Sequence, residues 1–211
     1  MYKVIKTILD SFFAFIGIMI MMPLLIITTI IVACDGYGSP FFIQERVGKN
    51  KRIFKIIKFR TMKSTKVPFD PDHPVISDDN QNLTKVGVIL RKFKIDEIPQ
   101  LFNILIGQMS FIGPRPLVPA YFDKYEEWEY YKFNVKPGLS GYAQVSGNGH
   151  LTEQGRSYYD SIYVDMISFT FDVKLFFRTL LIVVKGEDKF IKEPTDEEIN
   201  ALKEKITNAN G

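Results

Sequence analysis

The sequence predicts an α+β protein: one long apolar helix at the N-terminus, then a small, mostly helical domain carrying a short β-hairpin. Three observations lead there. Phe12 to Cys34 is a run of 23 residues without a charge, bracketed by Asp10 and Asp35; as a straight helix it would reach ~34 Å, enough to cross a hydrocarbon core. FFIQERVG and RIFKIIKFRTM read as two strands joined across Gly48-Lys49-Asn50-Lys51. Beyond them, apolar residues recur at three- and four-residue spacing, as on helices with one buried face.

At 211 residues the chain suffices for one domain with a modest core, or a small domain plus a membrane anchor. Its net charge of +3 suits anionic headgroups or a nucleotide-sugar and is too weak to argue for nucleic acid. Cys34 is the only cysteine, so no internal disulfide can form. With only His73 and His150 besides, widely separated, a structural zinc site has too few ligands. No self-similarity of 20 to 50 residues marks a repeat.

The apolar run is too long for a cleaved signal peptide and lacks a small-x-small exit. Pro23 sits at its middle, where it removes a backbone hydrogen bond and favours a kink. Lys3 and Lys6 precede the run, while Arg46, Lys49, Lys51, Arg52, Lys55, Lys58 and Arg60 follow it. Two basic flanks would hold both ends in the cytoplasm. From the residues alone, a spanning helix and one that bends near Met22-Pro23 and returns are equally open. Asp35 to Pro40 is turn chemistry leaving the helix.

After the hairpin, Lys63 to Asn82 contains Pro68, Pro71 and Pro74 and no periodic pattern, so a mobile loop is expected. Its Asp70, Asp72, Asp78 and Asp79 fit no calcium-loop spacing. Thr84 to Lys94 reads as a short amphipathic helix. Next come Asp96 and Glu97, followed by Ile98, Leu101, Phe102 and Leu105 on one helical face. Asp96 is then expected at the N-cap, with Pro99 in the first turn. There a carboxylate faces free N–H groups and the helix dipole and should stay ionised, the state a carboxylate nucleophile needs. An acidic cap beside a solvated basic segment is the plainer reading of the same residues.

Met109 to Gly113 reads as a strand entering Pro114-Arg115-Pro116, whose prolines restrict the backbone and so aim Arg115. Leu117 to Phe133 is helix-like, with a stripe of Tyr121, Phe122, Tyr125, Trp128 and Tyr131 expected mainly in the core. Lys136 to Gly149 is glycine-rich without the strand-to-helix fingerprint of a Rossmann or phosphate loop. Asp172 is expected to begin an apolar helix ending at Gly186, either core or lying in a membrane plane. The tail from Glu187 is mixed in charge and expected to fray.

The string LRKxxxDExPQLFNxLxGxMSxIGPRP, from Leu90 to Pro116, closely resembles the bacterial sugar transferase family, the polyprenol-phosphate phosphoglycosyl transferases. QERVG, KFRTM, the segment KPGLSGYAQVSGNG and the YVD step at Tyr163 to Asp165 match it too, and the resemblance runs from about Met1 to Glu187. The short chain with one N-terminal membrane segment is similar to the small monotopic branch. That resemblance implies a re-entrant helix over residues 1–36, broken near Met22-Pro23, although Met22 stands where these proteins commonly carry serine. It implies a catalytic domain over 37–187 with interfacial amphipathic helices, leaving 188–211 as a polar tail.

The function so implied is transfer of a phospho-sugar from a UDP-sugar to a polyprenol (undecaprenyl) phosphate, with UMP released, as the first membrane step of a bacterial glycan pathway. It implies Asp96 as nucleophile, forming a covalent aspartyl-phosphosugar, and Mg²⁺ held by Asp96 and Glu97. Glu97 is assigned either to that metal or to the acceptor's proton. Arg91 and Arg115 would contact substrate phosphate, since a guanidinium fork takes two phosphate oxygens at once. Lys58 and Arg60 would form a basic wall beside them. Gln144, Asn148, Tyr163 and Asp165 fall on the donor side; Asn148 replaces the family's usual arginine, for which His150 or Arg156 would have to compensate. Partners are then the UDP-sugar, the polyprenol phosphate and membrane lipids, at the cytoplasmic face of the inner membrane. Two rival readings are a lipid phosphate or diphosphate hydrolase and a non-catalytic assembly factor of the same fold.

Overall fold

A computed structural model describes residues 2–63, 82–186 and 188–210. The aspartates and prolines of the expected 63–82 loop lie outside the described residues, apart from its ends, which are joined by a hydrogen bond from Lys63 N to Asn82 O of 2.7 Å. What is described is mostly helical, with two small two-stranded sheets.

Helix α1 (Tyr2–Cys34) is long and apolar enough to cross a membrane. It runs through Met22 and Pro23 as one helix, so no helix end appears where the break was expected. One line along it is buried: Lys6, Asp10, Ala14, Ile18, Leu25, Thr28 and Val32. Ala14 and Ile18 pack on Phe54, Ile56, Leu101, Ile104 and Met109, while Leu25 and Val32 pack on Phe59 and Leu90. The remaining faces expose Ile8, Phe12, Phe15, Met19, Ile26 and Ile30. Both ends are tied to the same globular body. Near the start, Lys6 Nζ donates to Asp172 Oδ2 at 2.7 Å; near the end, the Arg60 guanidinium donates to the Val32 carbonyl at 2.6 Å.

Strands β1 (Phe41–Val47) and β2 (Ile53–Phe59) pair antiparallel, with Phe41 opposite Phe59 and Val47 opposite Ile53. The turn between them places Asn50 and Lys51 in left-handed geometry, at φ 56° and 62°. Helix α2 (Lys85–Lys92) starts at Thr84, whose hydroxyl accepts the Gly87 N–H at 2.8 Å. Gly87 abuts the Thr61 backbone so closely that a side chain there has no room, which seats α2 on the exit of β2.

The segment after α2 departs from expectation. Lys94 turns left-handed at φ 55°, Ile95–Glu97 forms a 3₁₀ turn, and α3 runs only from Gln100 to Leu105. Asp96 is therefore inside the turn and is not the N-cap. Ile95 and Ile98 pack against the Leu25–Phe59–Leu90 cluster, and burying both fixes a tighter turn than an α-helix beginning at Asp96 would give. Asn103 on α3 then clamps β2: its Oδ1 accepts the Ile57 N–H at 3.1 Å and its Nδ2 donates to Lys55 O at 2.7 Å.

Strand β3 (Ser110–Ile112) pairs in parallel with β4 (Gly138–Ser140). Gly113 and Gly138 touch backbone to backbone, and a Cβ on either would collide. Leu117 to Phe133 is not one helix. Two 3₁₀ segments, Pro119–Lys124 and Glu127–Asn134, are separated by extended residues at Tyr125 and Glu126, where a capping box between Glu126 and Glu129 restarts the chain. Trp128 and Phe133 are buried, and the tyrosines of the stripe are half-buried.

Helix α4 (Glu153–Met166) leads to α5 (Phe169–Lys185), whose N-cap is Ser168. Asp172 thus lies one turn inside α5, not at its start. α5 buries Asp172, Leu175 and Ile182 and exposes Phe169, Phe176, Phe177, Leu181 and Val184. The tail does not fray as expected: Asp196–Asn210 forms α6, and its Ile199, Leu202 and Ile206 pack on Trp128. These three apolar residues at helical spacing are enough to dock it.

Candidate active site

The 3₁₀ turn Ile95–Glu97 presents two acids in unlike settings. Glu97 faces a pocket lined by Arg46, Ile56, Lys58, Gln100, Arg115, Pro116, Gly138 and Leu139. Its Oε1 lies 2.6 Å from Lys58 Nζ and 3.7 Å from the Arg115 guanidinium. Burial alone would raise the Glu97 carboxyl; Lys58 and Arg115 outweigh it and hold the group down at about 2. Glu97 is thus a fixed negative charge.

Asp96 is buried, and its Oδ1 has no hydrogen-bond partner among the described residues. Burial and then the neighbouring Glu97 charge raise its carboxyl, while Lys58, Arg91 and Lys94 pull it down without reversing the shift. The sequence pattern suggested the opposite direction. An N-cap carboxylate would have accepted backbone N–H bonds, whereas this one sits within the turn with one oxygen unengaged. A desolvated, unengaged carboxylate oxygen among cations is a stronger nucleophile than a capping one.

The cations around the pair come from four elements. Lys58 reaches in from β2, its ammonium pushed down by burial and supported by Glu97. Arg91, in the last turn of α2, is steered by a 3.0 Å hydrogen bond from its Nε to Thr61 Oγ1. Arg115 is exposed between buried Pro114 and Pro116, and its backbone N–H is held by Asp160 of α4. Arg46 of β1 donates to Pro116 O at 3.3 Å and to Gln44 Oε1 at 2.6 Å. Burial, with Arg115 nearby, lowers the Arg46 guanidinium to about 10.

Lys58, Glu97 and Arg115 therefore come together, and Arg91 lies close enough to act on Asp96. Arg60 is placed elsewhere, buried against the last turn of α1, where cations complement helix carbonyls. Gln144 borders the pocket indirectly, donating from Nε2 to Leu139 O at 3.0 Å. Asn148 sits in left-handed geometry at φ 47°. Arg156, a suggested substitute for the missing arginine, is occupied with Leu151 O and Glu153, whereas His150 is exposed.

Tyr163 and Asp165 lie away from the pocket. Tyr163 is fully buried, its hydroxyl donating to Asp172 Oδ1 at 2.7 Å and Ile112 O at 3.0 Å. Asp165 accepts from Tyr131 and Lys205 at the protein's edge.

Sequence reasoning missed Arg46, Gln100 and Asp160. Arg46 reads as one more basic residue after the apolar run, and Gln100 as a polar helix position. Asp160 is buried and pushed up to about 6 by that burial, against the pull of Lys132, Arg156 and Arg115. Its only sequence signal is an acid within the aromatic run SYYDSIY.

No group of three or more His, Cys, Asp or Glu side chains among the described residues forms a metal cage. The donor set does fit magnesium, which takes one or two carboxylates and completes its shell with water and substrate phosphate; the unpartnered Asp96 Oδ1 and adjacent Glu97 offer such oxygens.

Fold and site together define a class: a protein with a large apolar helical surface and a buried acid pair ringed by cations, suited to handling phosphate beside lipid. Residues 1–186 match the family model described as bacterial sugar transferase, and the chain belongs to that family. It is 34% identical over 188 residues to the UDP-galactose-lipid carrier transferase of Erwinia amylovora, covering 82% of this chain and 39% of that protein. It is equally 34% identical to the UDP-N-acetylgalactosamine-undecaprenyl-phosphate N-acetylgalactosaminephosphotransferase of Aeromonas hydrophila, covering 88% and 45%. The exopolysaccharide production protein ExoY of Sinorhizobium fredii is 32% identical, with 81% of each chain covered. The chain thus spans less than half the length of the first two of these relatives.

Proposed function

We propose that this protein transfers a sugar phosphate from a UDP-sugar to a polyprenol phosphate, at a membrane surface, in the synthesis of a bacterial polysaccharide. The observation that carries the reading is Asp96: a buried carboxylate with one oxygen unengaged, inside a ring of cations that would neutralise a diphosphate. Relatives whose names specify UDP-galactose, a lipid carrier and undecaprenyl phosphate support the donor and acceptor classes.

In the first step an Asp96 oxygen attacks the phosphorus bearing the sugar. The bond from that phosphorus to the bridging oxygen breaks, and UMP leaves with the electron pair. Arg115 and Lys58 line the pocket where the charge of the leaving phosphate develops. In the second step the polyprenol phosphate oxygen attacks the same phosphorus, releasing the Asp96 carboxylate and forming a polyprenol diphosphate sugar. Arg91, held by Thr61, steadies the equatorial oxygens. Bound magnesium would supply further neutralisation of diphosphate charge.

The helix α1 is read as dipping into one leaflet with both ends on the cytoplasmic side of the inner membrane. Its support is that Lys6 and Val32, near opposite ends, are tied to one globular body, and that a buried face runs the helix's whole length. A helix spanning the bilayer would have to carry that body through the lipid. The exposed apolar faces of α1 and α5 then lie in the membrane.

Detergent-solubilised protein, supplied with magnesium, polyprenol phosphate and a panel of UDP-sugars, should release UMP and form lipid-linked sugar with at least one donor. Free phosphate without lipid product would indicate a hydrolase instead. In a Cys34→Ser background, Lys3→Cys and Asn50→Cys should both react with reagent from the cytoplasmic side. Labelling from opposite sides would refute the dip.

A further inference from the structure

A second charged pocket lies away from the Glu97 site, between the start of α1 and the segment before β4. It is lined by Lys3, Lys6, Asp10, Lys49, Lys136 and Ile167, with Tyr163 at its back. Lys6 is committed, paired with Asp172 at 2.7 Å and 3.9 Å from Asp10. Asp10 faces inward to the Phe111 N–H. Among the described residues Lys3, Lys49 and Lys136 have no ion-pair partner. Asp165, the acid that feels Lys3, is bonded to Tyr131 and Lys205. The Lys136 ammonium is lowered, first by burial and then by Lys49 and Lys6, against the pull of Asp10, so these cations share one space.

Lys3, Lys49 and Lys136 outnumber the one acid they share the pocket with, Asp10, and this excess of positive charge favours an anionic occupant. The surroundings say which kind. Ile167 in the lining leads into Phe169 and Val173, which are exposed at the start of α5, while Val4, Ile5 and Ile8 are exposed on the face of α1 turned away from the pocket. The two helices meet there, with Tyr2 and Phe169 in edge-to-face contact at 6.5 Å. A soluble anion would gain nothing from the apolar surface of these helices, whereas a lipid could lay its chains along it.

We propose that Lys3, Lys49 and Lys136 seat the phosphate headgroup of an anionic phospholipid, whose acyl chains follow the exposed apolar faces where α1 and α5 meet. The site holds the N-terminal end of α1 at headgroup depth and is separate from the pocket of Glu97. It rests on the membrane reading of α1 but not on the transferase chemistry, so its failure would leave UMP release untouched.

Native mass spectrometry of the full chain in detergent tests it, with added phosphatidylglycerol, phosphatidylcholine of the same acyl chains, or inorganic phosphate. Wild type should bind one phosphatidylglycerol in preference to phosphatidylcholine. Lys49→Gln with Lys136→Gln should weaken that binding about 10- to 30-fold, while the charge-matched control Lys189→Gln with Lys192→Gln should leave it unchanged. Circular-dichroism melting of both variants checks that each is folded. Equal binding of the two lipids, or equal loss in the control, would overturn the proposal. Inorganic phosphate displacing phosphatidylglycerol at the strength of the lipid itself would overturn the lipid assignment and leave a soluble-anion site.

Discussion

Two of the lysine–carboxylate pairs among the described residues, Lys6–Asp172 and Lys58–Glu97, are shielded from solvent and of nearly equal length, and their surroundings differ. At the junction of α1 and α5, Asp172 accepts from Lys6 at 2.7 Å and Tyr2 at 2.5 Å on one oxygen, and from Tyr163 at 2.7 Å on the other. Both Asp172 oxygens are engaged. At the turn before α3, Glu97 takes Lys58 at 2.6 Å and lines a pocket, while its neighbour Asp96 keeps a buried oxygen unengaged. The first cluster is a pin that fastens α1 to the rest of the protein. The second retains a buried carboxylate oxygen without a partner, where the proposed function places the reacting phosphorus. Satisfied polar clusters give rigidity; a deliberately unsatisfied one marks chemistry.

Substitutions can break that contrast. Asp96→Asn should lower sugar-phosphate transfer by on the order of 10⁴-fold, read as UMP release. The same change should leave the melting temperature unchanged or raise it, because it removes a desolvated carboxylate with one oxygen left without a hydrogen bond. Asp172→Asn should do the reverse. It strands Lys6 and should cost about 3–5 kcal/mol of stability, read by thermal unfolding in detergent, with transfer retained in whatever fraction stays folded.

Acid should separate the clusters further. Glu97 is held at about 2 in the folded protein, below the ordinary value of about 4.3 for the unfolded chain. Its contribution is therefore fully present above that ordinary value and is lost as pH falls toward 2. By linkage the lost stability is on the order of 3 kcal/mol, and Lys58→Met should abolish this acid limb in a pH series of unfolding curves. Asp96 is shifted upward, so transfer should fall on acidification before stability does. Arg115→Lys, at an exposed side chain, should have the smallest effect, about 10-fold on transfer, without a stability change.

Local pattern carried the parts of this fold that depend on neighbours in sequence. The uncharged run gave α1, the two β-like runs gave the hairpin, and Thr84 gave the start of α2. What lay beyond reach depends on distant partners. Asp96 was misplaced as a cap because Ile95 and Ile98 are drawn onto Leu25 and Phe59 from another part of the chain. Sequence alone leaves the tail frayed because Ile199, Leu202 and Ile206 are sparse until Trp128 receives them. Arg60, one strand position beyond Phe59, turned out to serve the end of α1.

At the site, the motif located Asp96, Glu97, Arg91 and Arg115. The roles of Arg46, Gln100 and Asp160 arise only once β1, α3 and α4 are brought around GPRP.

The central claim is that Asp96 bonds transiently to phosphorus. Protein mixed with a UDP-sugar it turns over, without lipid acceptor, should be quenched and weighed intact, then digested. The account predicts one added sugar phosphate, mapping to Asp96 and absent from Asp96→Asn. Turnover of that donor with no such adduct, or an undiminished adduct in the Asp96→Asn protein, would contradict it.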